Sequence, residues 1–244
     1  EMCIRDSVRP VLDMKKGEDV RKMRAIAEEA FEMVREYKGS HSGEHGDGIV
    51  RSEFHEKMYG DRLVKAFSEI KGLFDPKGLL NPGRIVDPPK MDDRSLFRYK
   101  PNYQATEITT ALDWSDWIGL SGAVEMCNNN GACRKVSAGV MCPSYRVTKD
   151  EKHVTRGRAN TLRLALSGQL GPDAISSKEM SETMELCVSC KACRRECPTG
   201  VDMAKMKIEH KSAYVQKNGL SMRDRLVGYL PKYAKIASKY HYLS

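Results

Sequence analysis

Cys187, Cys190, Cys193 and Cys197, followed by Pro198, stand at the spacing C-x2-C-x2-C-x3-C-P. Three cysteines at every third position can wrap their thiolates around one iron–sulfur cube. The fourth, after a break and before proline, points away toward a second cluster. Zinc needs a single tetrahedron and favours ligand pairs separated by a longer finger. Disulfides need an oxidising compartment and rarely crowd four cysteines into eleven residues. The spacing therefore predicts iron–sulfur ligation.

A two-cluster arrangement needs a partner motif with its own Cys-Pro. Cys142-Pro143 supplies it, preceded by Cys127 and Cys133, with Asn130 where a middle cysteine would stand. Crossing the ligands predicts a [4Fe-4S] cluster on Cys142, Cys187, Cys190 and Cys193. It leaves a second site with three thiolates, Cys127, Cys133 and Cys197. Three thiolates suit a [3Fe-4S] cluster, or a [4Fe-4S] cluster whose fourth iron takes water, Asn130 or an added ligand. The plainer alternative keeps Cys127 and Cys133 as buried free thiols and only one cluster. The basic run Lys152, His153, Arg156 and Arg158 reads either as a solvated helix start or as charge that holds a net-negative cluster or docks an acceptor.

A second candidate chemistry lies in SGEHGDG at 42–48. The imidazole of His45 titrates where it could take a proton from an alcohol, and the carboxylate of Glu44 could hold a divalent metal. Taken alone, the stretch reads more readily as a solvated turn. It lacks the H-E-x-x-H spacing and follows no strand.

The elements that must position these residues are mostly helical. Residues 17–38 place Val20, Met23, Ala27, Ala30, Phe31 and Val34 on one stripe, stopped by Gly39. Residues 53–74 predict a second helix with Phe54, Met58, Leu63, Phe67, Ile70 and Phe74 inward. DPKGLLNPGRIVDPP then ends a domain near residue 90. Residues 91–120, with Trp114 and Trp117, read as a linker that packs onto the cysteine-bearing half of the chain. Residues 156–168 are amphipathic, Ser176 and Glu179 suggest a capping box, and Asp202 caps a helix that ends at Asn218-Gly219. Met203 and Met206 read as core. Strands are expected only as short pieces around 8–13 and 48–51.

With these motifs in hand, the chain resembles a known fusion. GSHSGEHGDGIVRSEF and IKGLFDPKGLLNPGRIV are similar to the C-terminal end of FAD-linked oxidases of the D-lactate, glycolate and D-2-hydroxyglutarate dehydrogenase group. GVMCPSYRVTKDEKHVTRGRANTLRLALSG and LCVSCKACRRECPTGVDMAKMK are similar to the helical ferredoxin module fused behind that oxidase. The resemblance implies a mainly α chain: an α+β oxidase cap-domain remnant at 8–90, the linker at 91–120, an α-helical two-cluster ferredoxin domain at 121–222, and the start of a further helical segment at 223–244. It implies that Glu44 is a ligand of a divalent metal such as Zn and that His45 is the base. The α-hydrogen of a small 2-hydroxy acid would leave as hydride to FAD, D-2-hydroxyglutarate being favoured over D-lactate or glycolate. Asn81, in the LNPG turn, falls where that family's segment approaches the flavin. Electrons would then pass through two clusters to an acceptor protein or quinone. The FAD-binding domain and the remaining metal ligands are expected upstream, so the fragment alone is expected to be inactive. The alternative is an electron-transfer module without catalysis of its own.

Residues 1–7, EMCIRDS, read as a translated sequencing-library adaptor and are set aside with Cys3. No apolar run approaches the ~20 residues of a membrane helix, which suggests a cytoplasmic protein or one peripheral at the inner membrane. The net charge of +8 comes from 41 basic residues spread along the chain. Seven cluster thiolates, offset by two iron–sulfur cores of about +1 to +2 each, would lower its effective value to roughly +4. Without basic and aromatic interleaving, that charge suits an acidic partner rather than nucleic acid.

Overall fold

The computed structural model describes residues 10–43 and 46–238. The chain divides into two units, Glu1–Tyr103 and Gln104–Ser244.

In the first unit, helix α1 spans Gly17–Glu36, with Glu18 and Asp19 in its first turn and Arg35 in its last. That distribution opposes the helix macrodipole at both ends. Val20 and Phe31 are buried. Phe31 stacks on Phe54 at 5.1 Å between ring centroids, and Met91 completes a small core. Arg24 of α1 ties this core's rim together, reaching Glu53 at 3.2 Å and Asp92 at 2.7 Å.

Two expectations for this unit change. The single helix expected over 53–74 is broken into α2, His55–Tyr59, and α3, Asp61–Phe74. Gly60 between them has φ +77°, a left-handed conformation that cannot continue a right-handed helix. Phe54 is buried, but Leu63, Ile70 and Phe74 are exposed, because no described segment of this unit covers that face of α3. Secondly, no strand occurs among the described residues. Residues 10–13 are irregular and 48–51 form turns, where Gly46 and Gly48 adopt positive φ. An extended piece without a partner has no ladder to complete. Residues 8–9 lie outside the described residues.

The second unit is helical: α4 Leu120–Glu125, α5 Pro143–Thr148, α6 Thr155–Leu166, α7 Lys178–Glu185, α8 Ala192–Glu196, α9 Met203–Asn218, α10 Met222–Gly228 and α11 Leu230–Ala237. Its core gathers around α6, whose Ala159, Leu162 and Leu166 pack with Val124, Met180, Met184, Met203 and Met206. Asp202 caps α9 by accepting from Lys205 N–H at 3.0 Å, and Gly219 ends it. The cap of α7 is Ser177, one residue beyond the expected Ser176. Ser177 is extended and accepts from Met180 N–H, whereas Ser176 is buried in the preceding short turn and donates to Asp173.

The stretch 91–120 contributes Met91 to the first core and Trp114 and Leu120 to the second. Glu209 of α9 holds its later half. The carboxylate, 2% exposed, accepts from Ala111 N–H, Leu112 N–H and Trp114 Nε1–H at 2.8, 2.9 and 2.7 Å. Glu209→Gln turns one acceptor into a donor that faces other donors. It should cost the second unit about 2 kcal/mol and red-shift its tryptophan emission, both read in one urea titration.

Candidate iron–sulfur centre

The loop after α7 runs Cys187, Val188, Ser189, Cys190, Lys191, and α8 then carries Cys193. Cys187 N–H closes the end of α7 on Met184 O at 3.0 Å. Ser189 and Lys191 both hold positive φ, at +54° and +61°. Side-chain-bearing residues adopt that conformation only when surrounding structure demands it.

The loop after α4 repeats this geometry sixty residues earlier. Asn129 and Gly131, at the matching positions, have φ +63° and +79°. Cys127 N–H closes on Val124 O at 3.4 Å. Arg134 N–H bonds Gly131 O at 2.9 Å, as Arg194 N–H bonds Lys191 O at 3.1 Å. CNNNGAC therefore has the backbone of CVSCKAC, although it lacks the middle cysteine. The side chain of Asn130 serves the turn itself. Its Oδ1 accepts from Ala132 N–H at 2.8 Å and its Nδ2 donates to Asn128 Oδ1 at 2.6 Å.

Cys142 crosses from the first motif to the second. It caps α5 in a left-handed conformation, φ +52°, with Pro143 as the first helical residue. Its side chain lines one cavity with Cys187, Cys190 and Cys193. Cys127 and Cys133 are buried neighbours, and α8, which leads into Cys197, packs on the turn at 132–134. Glu196 fastens the two motifs together, accepting from Val140 N–H at 2.8 Å and Met141 N–H at 3.1 Å, just before Cys142.

The start of α6 serves both sets. Thr155 N–H donates to Cys142 Sγ at 3.1 Å, and the Thr155 hydroxyl lies 2.8 Å from the same sulfur. The next amide, Arg156 N–H, faces Cys133 and offsets part of the effect of burial on its thiol. Met203 N–H, at the start of α9, donates to Cys193 Sγ at 3.3 Å. Burial pushes the Cys133 thiol up to about 11 and raises Cys142 and Cys193 above the usual thiol value. Apolar surroundings disfavour a bare thiolate, and a cationic metal core beside these sulfurs would favour it.

This donor set fits a cluster. Cys142, Cys187, Cys190 and Cys193 share a cavity. Four cysteines around one cavity, with Cys142 and Cys193 accepting amide N–H groups, suit a multi-iron core. Arg158, 1% exposed, lines the same cavity and has no carboxylate partner among the described residues.

Residues 7–85 match the C-terminal domain of FAD linked oxidases, and residues 123–201 match the 4Fe-4S dicluster domain. The chain joins an FAD-linked oxidase C-terminal domain to a 4Fe-4S dicluster domain. Among curated proteins it is similar to the D-2-hydroxyglutarate dehydrogenases of Pseudomonas putida (29% identical, 91% of this chain, 25% of that protein), Escherichia coli (28%, 95% and 26%) and Haemophilus influenzae (28%, 97% and 26%). It thus spans about a quarter of the length of these relatives. No solved structure matches it.

In the oxidase domain, Glu44 and His45 lie outside the described residues. The surrounding loop holds a pair that sequence reading missed, His55 Nε2 at 2.9 Å from Asp47 Oδ2. His41 Nε2 lies 3.1 Å from Arg51 O, and burial lowers the pKa of its imidazole. Asn81 is exposed on a turn with φ +47°, beside an apolar cavity lined by Phe67, Ile70, Phe74 and Leu80. Asp75 shapes that turn, accepting from Leu79 and Leu80 N–H at 2.9 and 2.8 Å. In the dicluster domain the missed residues are Thr155 and Glu196, whose partners lie 13 and about 55 positions away. No local pattern signals such contacts.

Gly157 allows α6 to start where it does, since a Cβ there would overlap the carbonyl oxygen of Glu151. Gly157→Ala should force the Thr155 and Arg156 amides away from their sulfurs. A melting temperature lowered by an overpacking penalty of about 1–3 kcal/mol, together with less iron bound per chain, is the expected result.

Proposed function

We propose that this chain is the electron-exit end of an FAD- and iron–sulfur-dependent D-2-hydroxyacid dehydrogenase, with D-2-hydroxyglutarate the favoured substrate over D-lactate or glycolate. The observation that carries this reading is the placement of Cys142, from the first motif, in one cavity with Cys187, Cys190 and Cys193 of the second. Interlocked ligands place two clusters side by side, the arrangement a relay needs. The repeated loop backbone supports a second cluster on Cys127, Cys133 and Cys197. Because Asn130 is committed to its own turn, that cluster is a three-thiolate one, either three-iron or completed by water.

FAD, when bound, would supply hydride acceptance from the α-carbon, and clusters held by the cysteines would allow the electron pair to leave singly to an acceptor protein or quinone. Glu44 would hold a divalent metal such as Zn, which would supply Lewis-acid polarisation, and His45 would take the substrate's hydroxyl proton. Buried His41 Nδ1, Asp47 Oδ1 and His55 Nδ1, which have no partner among the described residues, support a polar site around that loop. Asn81 meets the flavin from the turn that Asp75 shapes, and the apolar cavity beside it offers a wall for a ring system. No helix among the described residues is long and apolar enough to cross a membrane, so the acceptor is met from the chain's surface.

The ligand crossing makes a spectroscopic prediction for the anaerobically reconstituted chain. Cys142→Ser and Cys190→Ser should abolish the same reduced-state EPR signal and spare the other cluster. Were each motif self-contained, Cys142→Ser would instead behave like Cys133→Ser. A sharp signal in the oxidised wild type that vanishes in Asn130→Cys would identify a three-iron cluster. In the complete enzyme, His45→Ala should lower turnover by about 10²–10⁴-fold with cluster signals unchanged.

A further inference from the structure

Among the described residues Arg158 is the largest fully buried side chain, and it sits at the wall of the four-cysteine cavity. Its hydrogen bonds all go to neutral groups. Nε donates to Thr183 O at 2.9 Å, and one terminal nitrogen donates to His153 O at 2.8 Å. Both terminal nitrogens reach Ser144 Oγ at 3.2 Å. Removing a guanidinium from water is costly unless an anion answers it. The groups that meet it electrostatically are the sulfurs of Cys187, Cys142 and Cys193. As neutral thiols they offer little compensation. Four thiolates around a [4Fe-4S] core carry net negative charge and offer a great deal.

Arg156, two residues earlier, shows the contrast. It lies near Cys133 and Cys127, but its Nε is paired with Glu151 at 2.6 Å, so its charge is largely spent. Lys207, the other cation near Cys187, donates to the carbonyls of Cys187 and Glu185 and is only half-buried. Asp202, the anion near Cys193, caps α9 and faces Arg194 at 4.0 Å. Among the charged groups near the four cysteines, Arg158 alone is both fully buried and free of a carboxylate partner among the described residues.

We propose that Arg158 is the buried counter-charge of the cluster on Cys142, Cys187, Cys190 and Cys193, and that it raises that cluster's reduction potential. Reduction adds one electron to a core that is already net negative. A fixed positive charge in a water-excluded wall stabilises the reduced form more than the oxidised one. The inference rests on the assignment of these four cysteines to one cluster, which Cys190→Ser tests separately through iron content.

The experiment is an EPR-monitored redox titration of the full chain, anaerobically reconstituted, as wild type, Arg158→Gln and Arg158→Lys. Arg158→Gln should shift the oxidised-to-reduced ratio of the four-thiolate cluster at least tenfold at fixed potential, a midpoint about 59 mV lower. Arg158→Lys, which keeps the charge, should titrate close to wild type. If Arg158→Gln fails to hold the cluster while Arg158→Lys holds it, the charge requirement is again supported. The proposal is overturned if Arg158→Gln titrates like wild type, if both variants shift alike, or if neither holds the cluster. Unchanged iron in Cys190→Ser would sink the ligand assignment itself, an outcome distinct from all of these.

Discussion

The second unit depends on where helix α6 begins. Its first two amides point at sulfurs from two different sets, Thr155 N–H at Cys142 and Arg156 N–H at Cys133. A helix N-terminus is a cluster of unpaired donors with partial positive charge, so it is suited to sit between two groups of thiolates. The same turn then contributes Arg158, and the buried face beyond it, Ala159, Leu162 and Leu166, is the centre of the core. One helix therefore anchors the hydrophobic packing and aims its donors at both cysteine sets.

The rest of the site adjusts to that position. Glu196 grips the two amides before Cys142 and so ties the end of the second motif to the turn of the first. Met203 N–H, delivered by the Asp202 cap of α9, reaches Cys193. Each of these sulfurs is held by backbone groups from an element other than its own, so the cavity keeps its shape only while the helices stay packed. Where clusters are bound, their assembly and the folding of this unit are coupled in the same way.

The first unit follows a different logic. Its core is small, Phe31, Phe54 and Met91 with a few partly buried neighbours. Apolar side chains along α3 stay exposed, with Phe74 at 84%. The 53–74 stretch had the periodicity of an inward-facing helix, but periodicity reports only that a face is apolar, and packing decides whether it is covered. Similarly, the expected strand at 48–51 had suitable residue types and no partner among the described residues to make it a strand.

The match to a dicluster domain was legible in the primary structure, because cluster ligation imposes local spacing: three cysteines every third residue, then Cys-Pro. Helix limits were also legible where they rest on short-range bonds, as at Asp202 and Gly219, and failed by one residue at Ser176, where two neighbouring serines compete for one cap. The sequence alone left open whether CNNNGAC is a cluster loop, because a missing cysteine looks the same in a degraded motif and a real one. Tertiary structure adds a likeness of backbone, since Asn129 and Gly131 share the left-handed angles of Ser189 and Lys191. It also sets apart Arg158, which in the sequence is one of several basic residues in a row. Burial separates it from the others, and burial is set by what the whole fold brings around a side chain, which the neighbouring residues of the chain do not encode.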